Sequence, residues 1–167
     1  MLQTSVPAVT SALQRARASL QRQRVAGLLS EERVTPPDEV AAKLVHRFVT
    51  AWEAVDIAGI VALLKEDAAL TMPPQPLRFV GREAIATFFA TVPAGGALDQ
   101  IRLMPTRANR QPAVAAYLLD APSQTYRPYG LMVFSLDGGA IAEVTGFADP
   151  TLFPSFNLMS QFEEREG

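Results

Sequence analysis

The chain has 167 residues, 49% hydrophobic and 19% charged, which excludes a disordered polymer and allows one ordinary domain plus an appendage. It contains no cysteine, so a disulfide framework, a thiolate nucleophile and cysteine-held zinc are excluded, and one histidine makes any other transition-metal site improbable. The net charge of −2 hides an asymmetry: up to residue 30 the only charges are Arg15, Arg17, Arg22 and Arg24, so the remainder is acidic. Only the first segment has an electrostatic reason to meet nucleic acid. No apolar run reaches membrane-spanning length and the N-terminus lacks a signal-peptide stretch, so no membrane partner and a cytoplasmic location are expected.

In chain order, Ser5 can cap a first helix with Pro7 in its first turn. Val6, Val9, Leu13, Ala16 and Leu20 form one apolar stripe, with Gln14, Arg15 and Arg22 off it, which predicts an amphipathic helix with a basic face inside residues 1–26. Residues 27–37, ending in Pro36 and Pro37, read as a linker, and residues 38–167 as the main domain. There Asp38 is expected to cap a helix reaching about Ala54, with Ala41, Leu44, Val45, Phe48, Val49 and Trp52 as its stripe, and Asp56 a shorter one through Leu64. Strands are predicted over residues 68–74 and 77–82, then a helix over 82–92. Four more strands follow over 101–106, 113–119, 129–136 and 141–147, the last two joined by the hairpin signal Leu136-Asp-Gly-Gly-Ala140. Asp149 and Pro150 are read as opening a terminal helix over Pro150–Phe162. Segregated helices and strands mean an α+β fold, with helices in the concave side of a curved antiparallel sheet.

Two stretches carry family resemblances. His46–Phe89, with Asp-x-x-x-Ile-Val-x-Leu-Leu, Asp-Ala-x-Leu-x-Met-Pro-Pro and Gly-Arg-Glu-Ala-Ile-x-x-Phe-Phe, resembles the start of a SnoaL-like domain, the cone-shaped fold of ketosteroid isomerase and nuclear transport factor. The resemblance covers roughly residues 38–150 and is specific for fold, while the fold hosts many activities. Val9–Leu20, Val-x-Ser-Ala-Leu-Gln-Arg-Ala-Arg-Ala-x-Leu, resembles the last helix of region four in extracytoplasmic-function sigma factors, one subgroup of which carries a SnoaL-like domain next. The terminal Asp149–Leu158 is also similar to that subgroup. The resemblance implies promoter contacts by Ser11, Gln14, Arg15 and Arg17, with RNA polymerase and promoter DNA as partners in the full-length context. The chain itself reads as a truncated sigma factor or a fragment of one. Alone, it is expected to make only weak, salt-sensitive DNA contacts.

The isomerase relatives need a base carboxylate and oxyanion donors in the pocket. Matched residue by residue, the resemblance places the base position at Met72, the oxyanion tyrosine at Phe48, and the acid partner near Met132. Methionine cannot abstract a proton, so isomerase chemistry is not expected, and neither is a cofactor. If the domain were a small enzyme of the polyketide-cyclase or isomerase type, Glu143 or Asp56 would be its base. Glu143 alternates with Ile141, Thr145 and Phe147 on one predicted strand face; Asp56 is more simply a cap and His46 a surface residue. Tyr126 and Tyr129, in Tyr-Arg-Pro-Tyr-Gly, could supply hydroxyls at a pocket rim or pack at the start of a strand.

The expected ligand pocket is Phe48, Trp52, Met72, Phe88, Tyr117, Met132 and Phe134, apolar and methionine-rich, with about half of these serving as ordinary core. The leading expectation is a non-catalytic regulatory or ligand-binding module controlling transcription initiation, taking a small apolar ligand, with homodimerisation through the open sheet face as a further possibility. A degenerate fragment that merely folds is the third reading.

Overall fold

The computed structural model describes residues 38–163; the predicted basic helix, the linker and the DNA-contact residues Ser11, Gln14, Arg15 and Arg17 lie outside them. Helix α1, Asp38–Glu53, buries Ala41, Leu44, Val45, Phe48 and Trp52, the three-and-four spacing seen in the sequence. Asp38 and Glu39 favour its positive N-terminal end, and Asp38 also pairs with Arg107 at 2.6 Å. That guanidinium, by hydrogen bond and by charge, holds the Asp38 carboxyl below its ordinary range.

Helix α2, Ile57–Ala62, is capped by Asp56, whose carboxylate accepts from the Gly59 N–H at 2.8 Å. It stops two residues short of the expected end because Leu64 already pairs with Ile141 in the sheet. Asp56→Ala is expected to cost about 1 kcal/mol, measured by urea unfolding. Gly59 is fitted to the cap, since a Cβ there would lie 2.3 Å from an Asp56 oxygen.

Strands β1, Leu64–Thr71, and β2, Arg78–Val80, form a hairpin that leads through Gly81 (φ 89°) into helix α3, Arg82–Thr91. The Arg82 guanidinium reaches back and donates twice to the Leu64 carbonyl, at 2.9 and 2.5 Å. Two 3₁₀ turns, Pro93–Gly96 and Leu98–Gln100, then carry the chain to the meander of β3 (Ile101–Ala108), β4 (Gln111–Asp120), β5 (Thr125–Asp137) and β6 (Ala140–Phe147). The β5–β6 hairpin turns on Gly138 and Gly139, both left-handed (φ 60° and 81°), as a tight turn of matching twist requires.

The sheet runs β2-β1-β6-β5-β4-β3 and is antiparallel except where β1 lies parallel to β6. The last segment departs from expectation. Instead of a helix to Phe162, a 3₁₀ helix over Pro150–Phe156 ends at Asn157 in left-handed conformation, and Phe162–Glu163 forms strand β7. Pro154 cannot donate within a helix, and the N-terminal part of β5 (Thr125 and Tyr126) offers β7 a free flank because β6 pairs only from Leu131 onward.

Two apolar clusters occupy opposite faces of the sheet. The inner one packs α1, α2 and α3 on the sheet and centres on Phe48, Trp52, Phe89 and Phe134, with Phe48–Phe134 ring centroids 4.8 Å apart. The outer one is Ala115, Tyr117, Tyr126 and Leu131 covered by Phe153 and Phe162 of the terminal segment. Phe162 stacks on Tyr126 at 5.0 Å, and Phe153 meets Tyr117 edge-on at 5.1 Å. This part of the sheet face, expected to be open for a second copy, is occupied by the chain's own C-terminal residues.

Candidate functional site

An apolar cavity of about 70 Å³ opens between the inner sheet face and helices α1 and α3. Trp52, Phe88 and Phe89 form the helical wall; Leu70, Met72, Ile101, Ala116, Met132, Val144 and Gly146 form the sheet wall. Val92 and Pro93 stand where α3 runs into its 3₁₀ turn, and half-exposed Val92 marks the mouth (51% exposed). Along β6, Val144 and Gly146 face inward, and Gly146 leaves room for Met72: a Cβ there would lie 2.6 Å from the Met72 sulfur. A glycine inside a strand is the sequence signal for such an approach, and it flags a lining position absent from the expected pocket.

The expected pocket residues divide in the structure. Trp52, Met72, Phe88 and Met132 line the cavity. Phe48 and Phe134 do not; both are fully buried behind it, in the inner core. Tyr117 is on the other face, because Val114 and Ala116 of β4 point inward and Ala115 and Tyr117 therefore point outward. Its hydroxyl donates to the Met159 carbonyl at 3.1 Å, and burial raises its pKa above the ordinary tyrosine value against that bond.

Glu143 is also outside the cavity. A bulge in the β5–β6 pairing, where Ser135 faces Glu143 but Leu136 faces Ile141, leaves Ala142 unpaired. Ile141 thereby turns inward with Val144, and Glu143 joins Ser135 on the outer face, contrary to the simple alternation expected. Asp56 is exposed at the α2 cap and does not line the cavity. His46 is exposed on α1, beside a groove it shares with Asp38, Pro105 and Arg107. Among the described residues no group of three or more His, Asp or Glu side chains could hold a metal, and no helix is long and apolar enough to cross a membrane.

The cavity's polar inventory is short. The Trp52 indole N–H is spent on the Ile101 carbonyl at 3.2 Å. The Tyr129 hydroxyl accepts from the Ala94 N–H at 3.1 Å, at the turn that carries Pro93. Among the described residues no charged side chain lines the space. Such walls suit an apolar molecule.

Comparison with known proteins agrees with this architecture. Over 156 residues the chain is 35% identical to the ECF RNA polymerase sigma factor SigG of Mycobacterium tuberculosis, in strains CDC 1551/Oshkosh and H37Rv. The match takes in 93% of this chain, more than the domain from Asp38 alone supplies, and so extends into the basic N-terminal segment. The chain spans 41% of the length of those relatives. Among solved structures, an NTF-2-like protein of unknown function from Burkholderia xenovorans LB400 superposes with a TM-score of 0.53 at 15% identity, covering 65% of this chain and 82% of that one. The epoxide hydrolase/cyclase-like enzyme SalBIII, of pyran ring formation in salinomycin, superposes at 0.52 and 19% identity, covering 68% and 94%. The SnoaL-like domain model matches residues 45–144, from the middle of α1 to the inward-facing Val144 of β6, and the chain belongs to the SnoaL-like domain family.

Proposed function

We propose that this chain is part of a transcription initiation factor in which the SnoaL-like domain is a non-catalytic module, binding a small apolar ligand and tuning promoter engagement by the basic segment. The observation that carries the reading is the similarity to SigG, which runs through the basic segment and the domain alike. The apolar cavity supports the ligand, and Met72 in its wall, where the isomerase resemblance places a base, favours binding over turnover. RNA polymerase and promoter DNA are the proposed partners.

The test is promoter binding by the native gene product carrying Arg15→Ala and Arg17→Ala together. Affinity is expected to fall, and the slope of log K against log salt to shrink by about 1.8, near 0.9 for each phosphate no longer neutralised. Unchanged affinity with an unchanged slope would sink the DNA-contact role. Trp52, the only tryptophan, sits in the cavity wall, so its fluorescence reports on the ligand half of the reading independently of DNA.

A further inference from the structure

Tyr129 lines the otherwise apolar cavity, and its hydroxyl meets the Ala94 N–H. Counted back from inward-facing Phe134 and Met132, strand alternation would turn Tyr129 to the outer face of β5. The pairing of β4 with β5 prevents this: Ala116 faces Gly130 while Tyr117 faces Pro128, which leaves Tyr129 unpaired in a bulge. A bulge re-aims the extra side chain. Here it turns the Tyr129 ring to the inner face, where it packs on the inner core and lines the cavity. Gly130 permits the close strand approach that follows, since a Cβ there would lie 2.7 Å from the Phe147 carbonyl oxygen.

The hydroxyl is fixed from one side only. It accepts the Ala94 N–H at 3.1 Å. Ala94 itself is in left-handed conformation (φ 49°), uncommon for a residue other than glycine, so the turn is shaped to present that N–H. A phenol has one proton to donate as well as lone pairs to accept with. The accepting role is taken, and among the described residues the structure records no acceptor for the proton. The other polar hydrogen in the wall, the Trp52 indole N–H, is already bonded.

We propose that Tyr129 is the specificity-determining residue of the cavity, donating a hydrogen bond to one oxygen of a small, neutral, otherwise apolar ligand. The inference rests on the apolar-ligand reading above and adds the chemistry the ligand must carry. Charge is excluded because no charged side chain among the described residues faces the cavity to offset desolvation. Size is bounded too. At about 70 Å³ the space is roughly half that of a cavity known to hold benzene. The ligand is therefore at most a single ring or a short branched chain, and a ring enters only as the flexible side chains of Met72 and Met132 give way.

The test uses a matched pair of probes, cyclohexanone and methylenecyclohexane, which differ by an oxygen in place of a CH₂. Binding is read from the methyl signals of Met72 and Met132 in the 167-residue chain labelled at methionine, with Met104 of the outer cluster as internal control. In Tyr129→Phe, cyclohexanone affinity is expected to drop about fivefold, the usual net effect of one neutral hydrogen bond, while methylenecyclohexane affinity holds. A structural role for Tyr129 would weaken both probes together, and a variant that failed to fold would move Met104 as well; Ala94→Gly, which relaxes the same turn but keeps the phenol, is expected to leave the ketone preference intact. An equal ketone affinity in wild type and Tyr129→Phe would overturn the donor role while leaving the apolar-ligand reading standing. If neither probe shifts Met72 or Met132 in the wild type, both readings fall.

Discussion

Replacing Phe48 by alanine is expected to lower the stability of the domain by about 3–5 kcal/mol. The ring is fully buried and stands at the centre of an aromatic group, with centroids 6.1 Å from Trp52, 6.2 Å from Phe89 and 4.8 Å from Phe134. Three of the four come from helices and one from β5, so the hole cannot close by a shift of one element. Truncation removes the transfer free energy of the ring and leaves a cavity against a fixed wall. Urea unfolding followed by circular dichroism measures the loss as a fall in midpoint at constant slope. A loss below about 1 kcal/mol would mean that the core does not pack as described. The isomerase resemblance puts a catalytic tyrosine at this position; the structure gives the position to packing.

Introducing aspartate at Met72 is the second large effect. The substitution restores the carboxylate that the resemblance expects of an isomerase, in a wall with no charged neighbour among the described residues. Met72 is partly buried, so desolvation is expected to raise the new carboxyl's pKa by about 2 units rather than the 3–5 of a fully buried group. The sign follows from linkage. The folded pKa lies above the unfolded one, so the variant is nearest to wild type below about pH 4 and loses stability as pH rises through the folded value. The loss levels off above about pH 6 at about 3 kcal/mol, to which the missing packing of the methionine side chain adds. Melting temperatures of wild type and Met72→Asp across about pH 4–8 check it. Curves that stay parallel would mean that water reaches the site freely, and the desolvated cavity would have to be given up.

The two substitutions bear on one question from opposite sides. Of the two positions that the isomerase resemblance marks, Phe48 is buried in the inner core and Met72 lines the cavity. The proposed hydrogen-bond donor, the Tyr129 hydroxyl, is on a different element from either and is held by the Ala94 N–H.

The sequence by itself determined the α+β order, the apolar stripe of α1, the Asp56 cap, the β5–β6 hairpin at Gly138-Gly139 and the SnoaL-like family. Each is encoded locally: a three-and-four spacing, a carboxylate three residues before an amide, two residues able to adopt positive φ. Trp52, Met72, Phe88 and Met132 could be placed near one another because motif order carried the fold. What faced what, by contrast, depended on strand pairing. The unpaired Ala142 let Ile141 and Val144 both face inward and sent Glu143 outward, and the unpaired Tyr129 let its ring share the inner face with Met132 and Phe134, so each strand changes phase at its bulge. Tyr117 was a pocket candidate by type, and its register on β4 put it in the outer cluster under Phe153 and Phe162. The terminal strand β7 forms because β5 is longer than the β6 pairing that flanks it. A bulge or a free flank is a relation between two segments far apart in the chain, and a period of two read along either one alone carries no trace of it.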